Sequence, residues 1–145
     1  MVTVVRSRRI AAPAAKIWAV IGDFGDPSWI LPPDAPVPPP EFDGDPHVPG
    51  TRRIVELPDG TRLVEQLVHR DPVRHRLRYS IVDSPLEFRN HEAEIAIDGD
   101  DERSTVTWTA TFEATPASAA FLEVLMGDQN FTPALDALVR LVQAG

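Results

Sequence analysis

The chain has 145 residues, no cysteine, and 22 acidic against 14 basic side chains, which gives a formal net charge of −8. The length suits one domain, spanning residues 1–145, that buries roughly two thirds of the surface of its unfolded chain. The lack of cysteine excludes disulfides, thiolate metal sites and cysteine nucleophiles, and the acidic balance argues against a dedicated nucleic-acid or anionic-membrane binder.

The N-terminal stretch shows no targeting signal. It lacks the long apolar core of a signal peptide, and no segment of the chain approaches the roughly 18 apolar residues that span a bilayer. We therefore expect a protein without a membrane span, with the cytoplasm as its default location. The sequence leaves the oligomeric state open between a monomer and a homodimer.

The first predicted elements are a strand and a helix. Residues Val2 to Ile10 alternate loosely between apolar and polar side chains, which predicts a strand. A helix then runs from Ala11-Ala12-Pro13 to about Ile21, because proline is tolerated in a first helical turn, and Trp18 lies on its buried stripe. After a break that contains glycine and proline, Ser28 to Leu31 could form one short second helical turn.

A proline-rich and acidic stretch follows, from Pro32 to Pro49. Such a composition predicts an extended segment that contributes little to a core. A loop of this length is either a flexible excursion or a lid over a functional site, and Phe42 is the residue expected to cover something. The spacing of Asp43, Asp45 and His47 matches no recognised metal site, so we expect no metal there.

The centre of the chain, Gly50 to Ile97, predicts a meander of antiparallel strands. Its turns are marked by Pro58-Asp59-Gly60, Asp71-Pro72 and Asp83-Ser84-Pro85. Side chains alternate across a strand, so each segment can be divided into two faces and the apolar face assigned to the interior. The interior faces are then Leu63, Glu65 and Leu67; Leu77, Tyr79 and Ile81; and His91, Ala93, Ile95 and Ile97.

The first turn of the meander also predicts a register. A three-residue hairpin loop at positions 58–60, with Gly60 in a left-handed conformation, pairs the residues on either side of the loop. Extended along the two strands, this pairing places Arg53 opposite Glu65. The turn therefore predicts a cross-strand ion pair on an otherwise apolar face.

The neighbours of Glu65 on the next strands follow from the same reasoning. Facing residues share one side of a sheet, so either Tyr79 or Ile81 lies opposite Glu65. His91 belongs to the following strand on the same face, and Arg53, Glu65, Tyr79 and His91 are expected to converge. An ion pair that faces a dry core costs several kcal/mol of desolvation per ion, so the face is easier to explain if it lines a cavity that contains water or a ligand.

The last predicted strand, Ser104 to Ala114, alternates apolar residues with threonine. Pattern alone places the apolar set inward: Val106, Trp108, Ala110 and Phe112. A row of threonines would also suit a wet cavity, so the sequence leaves open which face of this strand points inward.

A long helix closes the chain. Thr115 and Pro116 predict its start, and apolar residues recur from Ala117 to Gln143 with interruptions at Gly127-Asp128 and Pro133. The result is either one long kinked helix or two abutting helices. In both cases its apolar stripe has to pack on the concave side of the sheet.

The sequence contains no nucleotide fingerprint, P-loop, nucleophile elbow or helical zinc motif. We therefore expect no cofactor and no metal. The chemistry-bearing residues that remain are the converging set around Glu65. A buried glutamate beside an arginine is usually ionised and structural, whereas a glutamate or histidine with a shifted pKa in a cleft can act as a general acid or base.

Several short motifs together resemble the START-like (SRPBCC) superfamily, in its polyketide cyclase/dehydrase-like branch, over nearly the entire chain. They are Ala12-Pro13 with Ile17-Trp18, Ile21 to Phe24, Pro49 to Arg53, Asp59-Gly60, Glu65 to Leu67 with Asp71, Tyr79 to Ile81, and Val106 to Trp108. The resemblance implies an α+β helix-grip fold. In that fold a curved antiparallel sheet wraps a long C-terminal helix, two short helices lie near the N-terminus, and an internal cavity accepts an apolar ligand.

The chain is more distantly similar to the plant abscisic-acid receptors and the birch pollen allergen family. In the receptors the corresponding strands carry a pocket Arg, Glu and Tyr, and these fall on Arg53, Glu65 and His91 of this sequence. His91 departs from the receptors' Tyr. The receptor gate sequence between the second and third strands is also missing, since Leu57 to Gly60 stands there. Hormone binding is therefore not implied.

Three functional hypotheses follow. The leading one is a carrier or sensor of a small polyketide-, lipid- or steroid-like molecule, with the ligand contacted by Arg53, Val55, Glu65, Leu67, Tyr79, Ile81, His91 and Trp108. The rival is a cyclase, aromatase or dehydratase in which Glu65 or His91 moves protons and Tyr79 steadies an enolate or carbonyl oxygen. A third is an interaction module that dimerises or docks through its proline-rich loop.

Overall fold

The computed structural model describes residues 1–30, 37–57 and 59–144 of the chain. Its strands are β1 (Val2–Ile10), β2 (Glu41–Phe42), β3 (Arg52–Glu56), β4 (Arg62–Asp71), β5 (Arg76–Asp83), β6 (Arg89–Gly99) and β7 (Ser104–Glu113). Its helical elements are α1 (Ala14–Ile21), α2 (Pro116–Glu123), a π-helical segment (Val124–Phe131) and α3 (Thr132–Ala144). The predicted order of the longer strands and helices is confirmed, whereas β2 is an additional short strand in the proline-rich stretch. Helix α1 begins at Ala14, with Pro13 as its N-cap rather than in its first turn.

The strands form one curved antiparallel sheet in the order β1-β7-β6-β5-β4-β3-β2. Two register irregularities interrupt the pairing of β4 with β5, after Val64 and after Leu67. Irregularities of this kind bend a strand and increase its twist, which helps the sheet to curve. The sheet and the C-terminal helix together form the expected helix-grip fold.

Strand β7 lies near the middle of the core. Its apolar residues Val106, Trp108, Ala110 and Phe112 are all buried, whereas the threonines between them are only half-buried. The pattern-based assignment of the inward face is therefore confirmed. The threonine face is turned away from the helix because the two faces of a strand alternate.

Helix α1 buries the stripe that its spacing predicts. Ala14, Ile17, Trp18 and Ile21 are the buried residues, and they recur at three- and four-residue intervals on one face. Among the described residues, the second short helix expected near the N-terminus is instead a hydrogen-bonded turn, in which the Ile30 N–H donates to the Pro27 carbonyl oxygen at 2.9 Å. Leu31, the end of the predicted turn, lies outside the described residues.

The C-terminal helix is one continuous element from Pro116 to Ala144 rather than two abutting helices. In its middle the backbone widens to π-helical geometry, and the Thr132 N–H donates to the carbonyl oxygen of Gly127, five residues earlier. Proline has no N–H and clashes with the carbonyl four residues before it in a regular α-helix. The π-helical turns just before Pro133 therefore accommodate this residue without ending the helix.

Two ion pairs join this helix to β1. Arg6 contacts Asp128 and Arg8 contacts Asp136, each at 2.9 Å. The Arg6 guanidinium lies so close to Gly127 that a Cβ atom there would be 2.5 Å from its Nη2 atom. The absence of a side chain at position 127 thus permits the close approach of β1 to the widened part of the helix.

The N-terminal cap of the helix supports a first prediction. The Thr115 hydroxyl oxygen accepts the Ser118 N–H at 3.3 Å, which satisfies one of the free amides at the start of α2. Thr115→Ala should lower the free energy of unfolding by about 1 kcal/mol, measured by urea denaturation. Thr115→Ser keeps the hydroxyl and serves as the control; equal losses in both variants would contradict a capping role.

Candidate functional site

The hairpin between β3 and β4 has the predicted geometry. The Leu57 N–H donates to the Thr61 carbonyl oxygen at 2.7 Å, and Gly60 has a φ of +85°; Pro58 lies outside the described residues. This turn aligns the strands so that Arg53 pairs with Glu65 across them. The register read from the turn is therefore confirmed, and with it the cross-strand ion pair.

The Arg53 side chain is 4% exposed, and its guanidinium contacts three groups. Its Nε and Nη2 atoms both donate to Oε1 of Glu65, at 3.0 and 2.7 Å. Its Nη1 atom donates to the Phe24 carbonyl oxygen at 3.0 Å, and the guanidinium lies 4.0 Å from the centre of the Phe24 ring. The cation is thus bound by one carboxylate oxygen, one carbonyl and one aromatic face.

Next to this pair lies the aromatic part of the site. Of the two residues expected to face Glu65, the one that pairs with it is Ile81, and Tyr79 is two residues away on the same face. The Tyr79 hydroxyl oxygen accepts the Trp108 Nε1–H at 3.1 Å. Burial, together with the negative charge of Glu65, raises the pKa of Tyr79 well above its usual value, so its hydroxyl keeps its proton.

His91 is buried beside this group. Its Nδ1 atom accepts the Ile81 N–H at 3.0 Å, and its ring packs against Phe88, Tyr79 and Phe112 with centroids 5.5 to 6.4 Å apart. Burial lowers the pKa of His91 to about 4, against an opposing effect of the Glu65 charge. The imidazole is therefore neutral at pH 7, with its proton on Nε2.

A cavity of about 590 Å³ opens between the sheet and the C-terminal helix. Six of the eight residues predicted to contact a ligand line it: Arg53, Val55, Glu65, Tyr79, Ile81 and Trp108. Leu67 and His91 are not among its lining residues. Leu67 is completely buried in the hydrophobic core, and His91 is covered by aromatic rings.

The other walls of the cavity come from residues that the sequence analysis did not assign to the site. The helix contributes Leu125, Met126, Gln129, Asn130, Pro133, Ala134, Ala137 and Arg140, and the segment before the proline-rich stretch contributes Pro27, Trp29 and Ile30. The sequence could have indicated the apolar residues among them, since the apolar stripe of the helix has to face the sheet. Nothing in the sequence separated the stripe residues that border the cavity from those that pack directly on β1.

Phe42, the residue expected to cover the site, lies elsewhere. It is in β2, opposite Arg53 on β3, and its ring makes an edge contact with the Phe24 ring at 6.5 Å. Phe42 is therefore a neighbour of the ion pair rather than a lining residue of the cavity. The proline-rich stretch is described only from residue 37 onward, and its first part, 32–36, lies outside the described residues.

The cavity is predominantly apolar, with a polar floor. Arg53 and Glu65 neutralise each other there, and Tyr79 and Trp108 lie beside them as hydrogen-bonding aromatic residues. Two further charged side chains, Asp59 and Arg140, are exposed at the border of the cavity. This is the composition of a site that encloses an apolar molecule and orients it through a few polar contacts.

Comparison with known proteins agrees with this architecture. A family model described as "polyketide cyclase / dehydrase and lipid transport" matches residues 1–143. The chain belongs to this family. The branch expected from the sequence motifs is thereby confirmed. A search of the curated proteins gives no match.

Solved structures of other proteins superpose over almost the whole chain. A Thermobifida fusca protein with a solution NMR structure is 38% identical, with 99% of this chain and 95% of that chain covered and a TM-score of 0.87. The XoxI protein of Bacillus cereus is 22% identical, with 99% and 96% covered and a TM-score of 0.83.

A plant enzyme is also among the similar structures. Norcoclaurine synthase from Thalictrum flavum, solved in complex with dopamine and hydroxybenzaldehyde, is 17% identical, with 98% of this chain and 86% of that chain covered and a TM-score of 0.79. At this identity the likeness shows the fold alone. Within the described residues, no helix combines the length and the apolar composition needed to cross a membrane.

Proposed function

We propose that this protein binds a small hydrophobic molecule, polyketide-, lipid- or steroid-like, in the cavity between its sheet and its C-terminal helix, as a carrier or sensor. The observation that carries the proposal is the cavity of about 590 Å³, apolar on its walls and polar on its floor. Cavities of roughly 300–1,000 Å³ with this composition are typical of small-molecule sites. Membership of a family that includes lipid transport supports the same conclusion.

The ion pair on the floor fits this function. A buried pair of charges is costly to desolvate and adds little net stability, yet Arg53 and Glu65 both line the cavity. In a carrier such a pair would serve as a polar anchor that orients the ligand. Arg53 donates to one oxygen of the Glu65 carboxylate, Oε1, and leaves the other, Oε2, without a bond from Arg53.

Gentle-ionisation mass spectrometry of the purified protein, followed by thermal shifts against ring compounds and fatty acids, tests the proposal. A ligand at ten times its dissociation constant stabilises the native state by about 1.4 kcal/mol, which raises the melting temperature by about 4 °C. We expect a bound mass or a rise of this size for at least one class of compound. No bound mass and no rise with any compound would overturn the proposal.

A pair of variants localises the binding. Ala137 lines the cavity on α3 and is half-buried, so Ala137→Phe would place a ring in the ligand space. Ala120 is exposed on α2, and Ala120→Phe adds the same ring outside the cavity. We expect the first variant to lose the thermal shift and the second to keep it. A shift retained in Ala137→Phe would place the ligand elsewhere.

An enzyme of the cyclase, aromatase or dehydratase type is the second candidate, and the free oxygen of Glu65 favours it. A carboxylate in an apolar cavity, with the Tyr79 hydroxyl nearby, could remove a proton while the hydroxyl stabilises a carbonyl oxygen. His91 supports this candidate less, because it does not line the cavity and its Nδ1 already accepts the Ile81 N–H. Under this hypothesis Glu65→Gln should abolish turnover of a bound polyketide while binding survives.

A further inference from the structure

Two hydrogen-bonding groups on the cavity floor lack a partner among the residues that the structure describes. Both bonds from Arg53 to the Glu65 carboxylate end on Oε1, and no described group donates to Oε2. The Tyr79 hydroxyl oxygen accepts the Trp108 Nε1–H, and no described group accepts the hydroxyl proton of Tyr79. One free acceptor and one free donor therefore remain on two residues that line the same cavity.

Both groups belong to the cavity wall. Glu65 and Tyr79 line the cavity, and the Glu65 side chain is 12% exposed. Every fully buried side-chain oxygen or nitrogen of the described residues has a hydrogen-bond partner. Since Oε2 has no described partner, it is not fully buried, and it belongs to a residue that lines the cavity. A ligand that fills the cavity would remove these groups from water and would have to offer them hydrogen bonds of its own.

We propose that the ligand carries a hydroxyl group, of an alcohol or a phenol, that donates to Oε2 of Glu65 and accepts from the Tyr79 hydroxyl. This inference rests on the proposed function, because it names the polar group of the molecule that the cavity binds. A hydroxyl is one donor with free acceptor lone pairs. It is the simplest neutral group that satisfies both residues with one oxygen atom.

Other polar groups fit the floor less well. A carboxylate would add a second negative charge next to Glu65 and offers no proton to Oε2, while the Arg53 charge is already engaged by Oε1, the Phe24 carbonyl and the Phe24 ring. An ether or ketone can accept from Tyr79 but leaves Oε2 without a donor. An ammonium can donate to Oε2 but cannot accept from Tyr79. Each of these ligand groups leaves Oε2 of Glu65 or the Tyr79 hydroxyl without a hydrogen-bond partner and away from water, which lowers the affinity.

A matched series of naphthalenes tests the inference by titration calorimetry with the full chain. The probes are 2-naphthol, 2-methoxynaphthalene and 2-naphthoate, which share one ring system and differ in the polar group. We expect 2-naphthol to bind about tenfold more tightly than the ether, the equivalent of one well-made hydrogen bond in the site, and the carboxylate to bind most weakly.

Two variants test the two residues separately. Tyr79→Phe removes a donor that both 2-naphthol and the ether can use, so it should weaken the binding of each by about fivefold and leave the preference between them unchanged. Glu65→Gln keeps an oxygen for Arg53 and can present an amide N–H in place of Oε2, which should favour the acceptor-only ether. Glu94 pairs with Arg78 on the outer face of the sheet, so Glu94→Gln is the matched control and should leave the preference unchanged.

The outcomes separate this inference from the proposed function. Equal affinity for 2-naphthol and 2-methoxynaphthalene, or tighter binding of 2-naphthoate, would overturn the hydroxyl assignment while leaving the cavity a binding site. Loss of binding of all three probes in the wild-type protein, with no shift from any other compound, would overturn both. If Glu65→Gln fails to fold, the Tyr79→Phe result and the probe series in the wild-type protein still decide the question.

Discussion

Replacing Glu65 by leucine is expected to lower the free energy of unfolding by about 3–5 kcal/mol. The substitution leaves the buried Arg53 side chain without its carboxylate partner at 2.7 Å. Burying the Arg53 charge removes it from water, and the attraction of Glu65 offsets that desolvation penalty in the wild-type protein. Without Glu65 the penalty is no longer offset, so the folded state is destabilised. Urea denaturation followed by tryptophan fluorescence measures the effect.

Two further variants distinguish a lost counter-ion from lost packing. The double variant Arg53→Met, Glu65→Leu removes both charges and should recover most of the stability, because apolar residues of similar volume often replace a buried pair without loss. Glu94→Leu breaks the partly exposed pair with Arg78 on the outer face and should cost less than about 1 kcal/mol. If the double variant is as unstable as Glu65→Leu, the charge explanation is wrong.

The second large effect is a pH dependence of stability that originates at His91. In the unfolded chain the pKa of His91 is 6.5, whereas burial in the folded protein lowers it to about 4. Between these values the unfolded state binds more protons, so stability falls as the pH is lowered through this window. His91 should make the protein about 2 kcal/mol less stable at pH 5 than at pH 7.5.

His91→Asn isolates this contribution. The asparagine side-chain oxygen can accept the Ile81 N–H in place of Nδ1 but does not titrate in this range. Urea denaturation at pH 7.5 and pH 5 should show a difference about 2 kcal/mol smaller in this variant than in the wild type. His69 is exposed, and His69→Asn should keep the wild-type difference. An unchanged pH dependence in His91→Asn would show that other groups cause it.

Much of the fold could be derived from local sequence patterns. The alternation in β7 assigned its apolar face to the interior, with the threonine face left as an alternative, and the hairpin at 58–60 placed Arg53 opposite Glu65. Both features depend on nearest-neighbour geometry, since side chains alternate strictly along a strand and a short turn determines the pairing of its two strands. Such rules act over a few residues and need no knowledge of the rest of the chain.

The choice between Tyr79 and Ile81 as the partner of Glu65 was beyond the sequence. The turn between β4 and β5 sets their pairing, but the irregularity between Leu67 and His69 shifts the register before the pairing reaches Glu65. An irregularity of this kind inserts or omits one residue in a pairing and has no reliable local signature. The tertiary structure therefore decided this neighbour.

The sequence by itself determined which residues face the interior, and only the tertiary structure decided which of them border empty space. Glu65 and His91 both lie on interior faces of their strands, yet Glu65 lines the cavity and the His91 ring is covered by Phe88 and Phe112. The physical reason is that alternation is a property of one strand. A cavity, in contrast, is the space left between the sheet and a helix that follows it in the chain, and its boundary depends on how those distant segments pack.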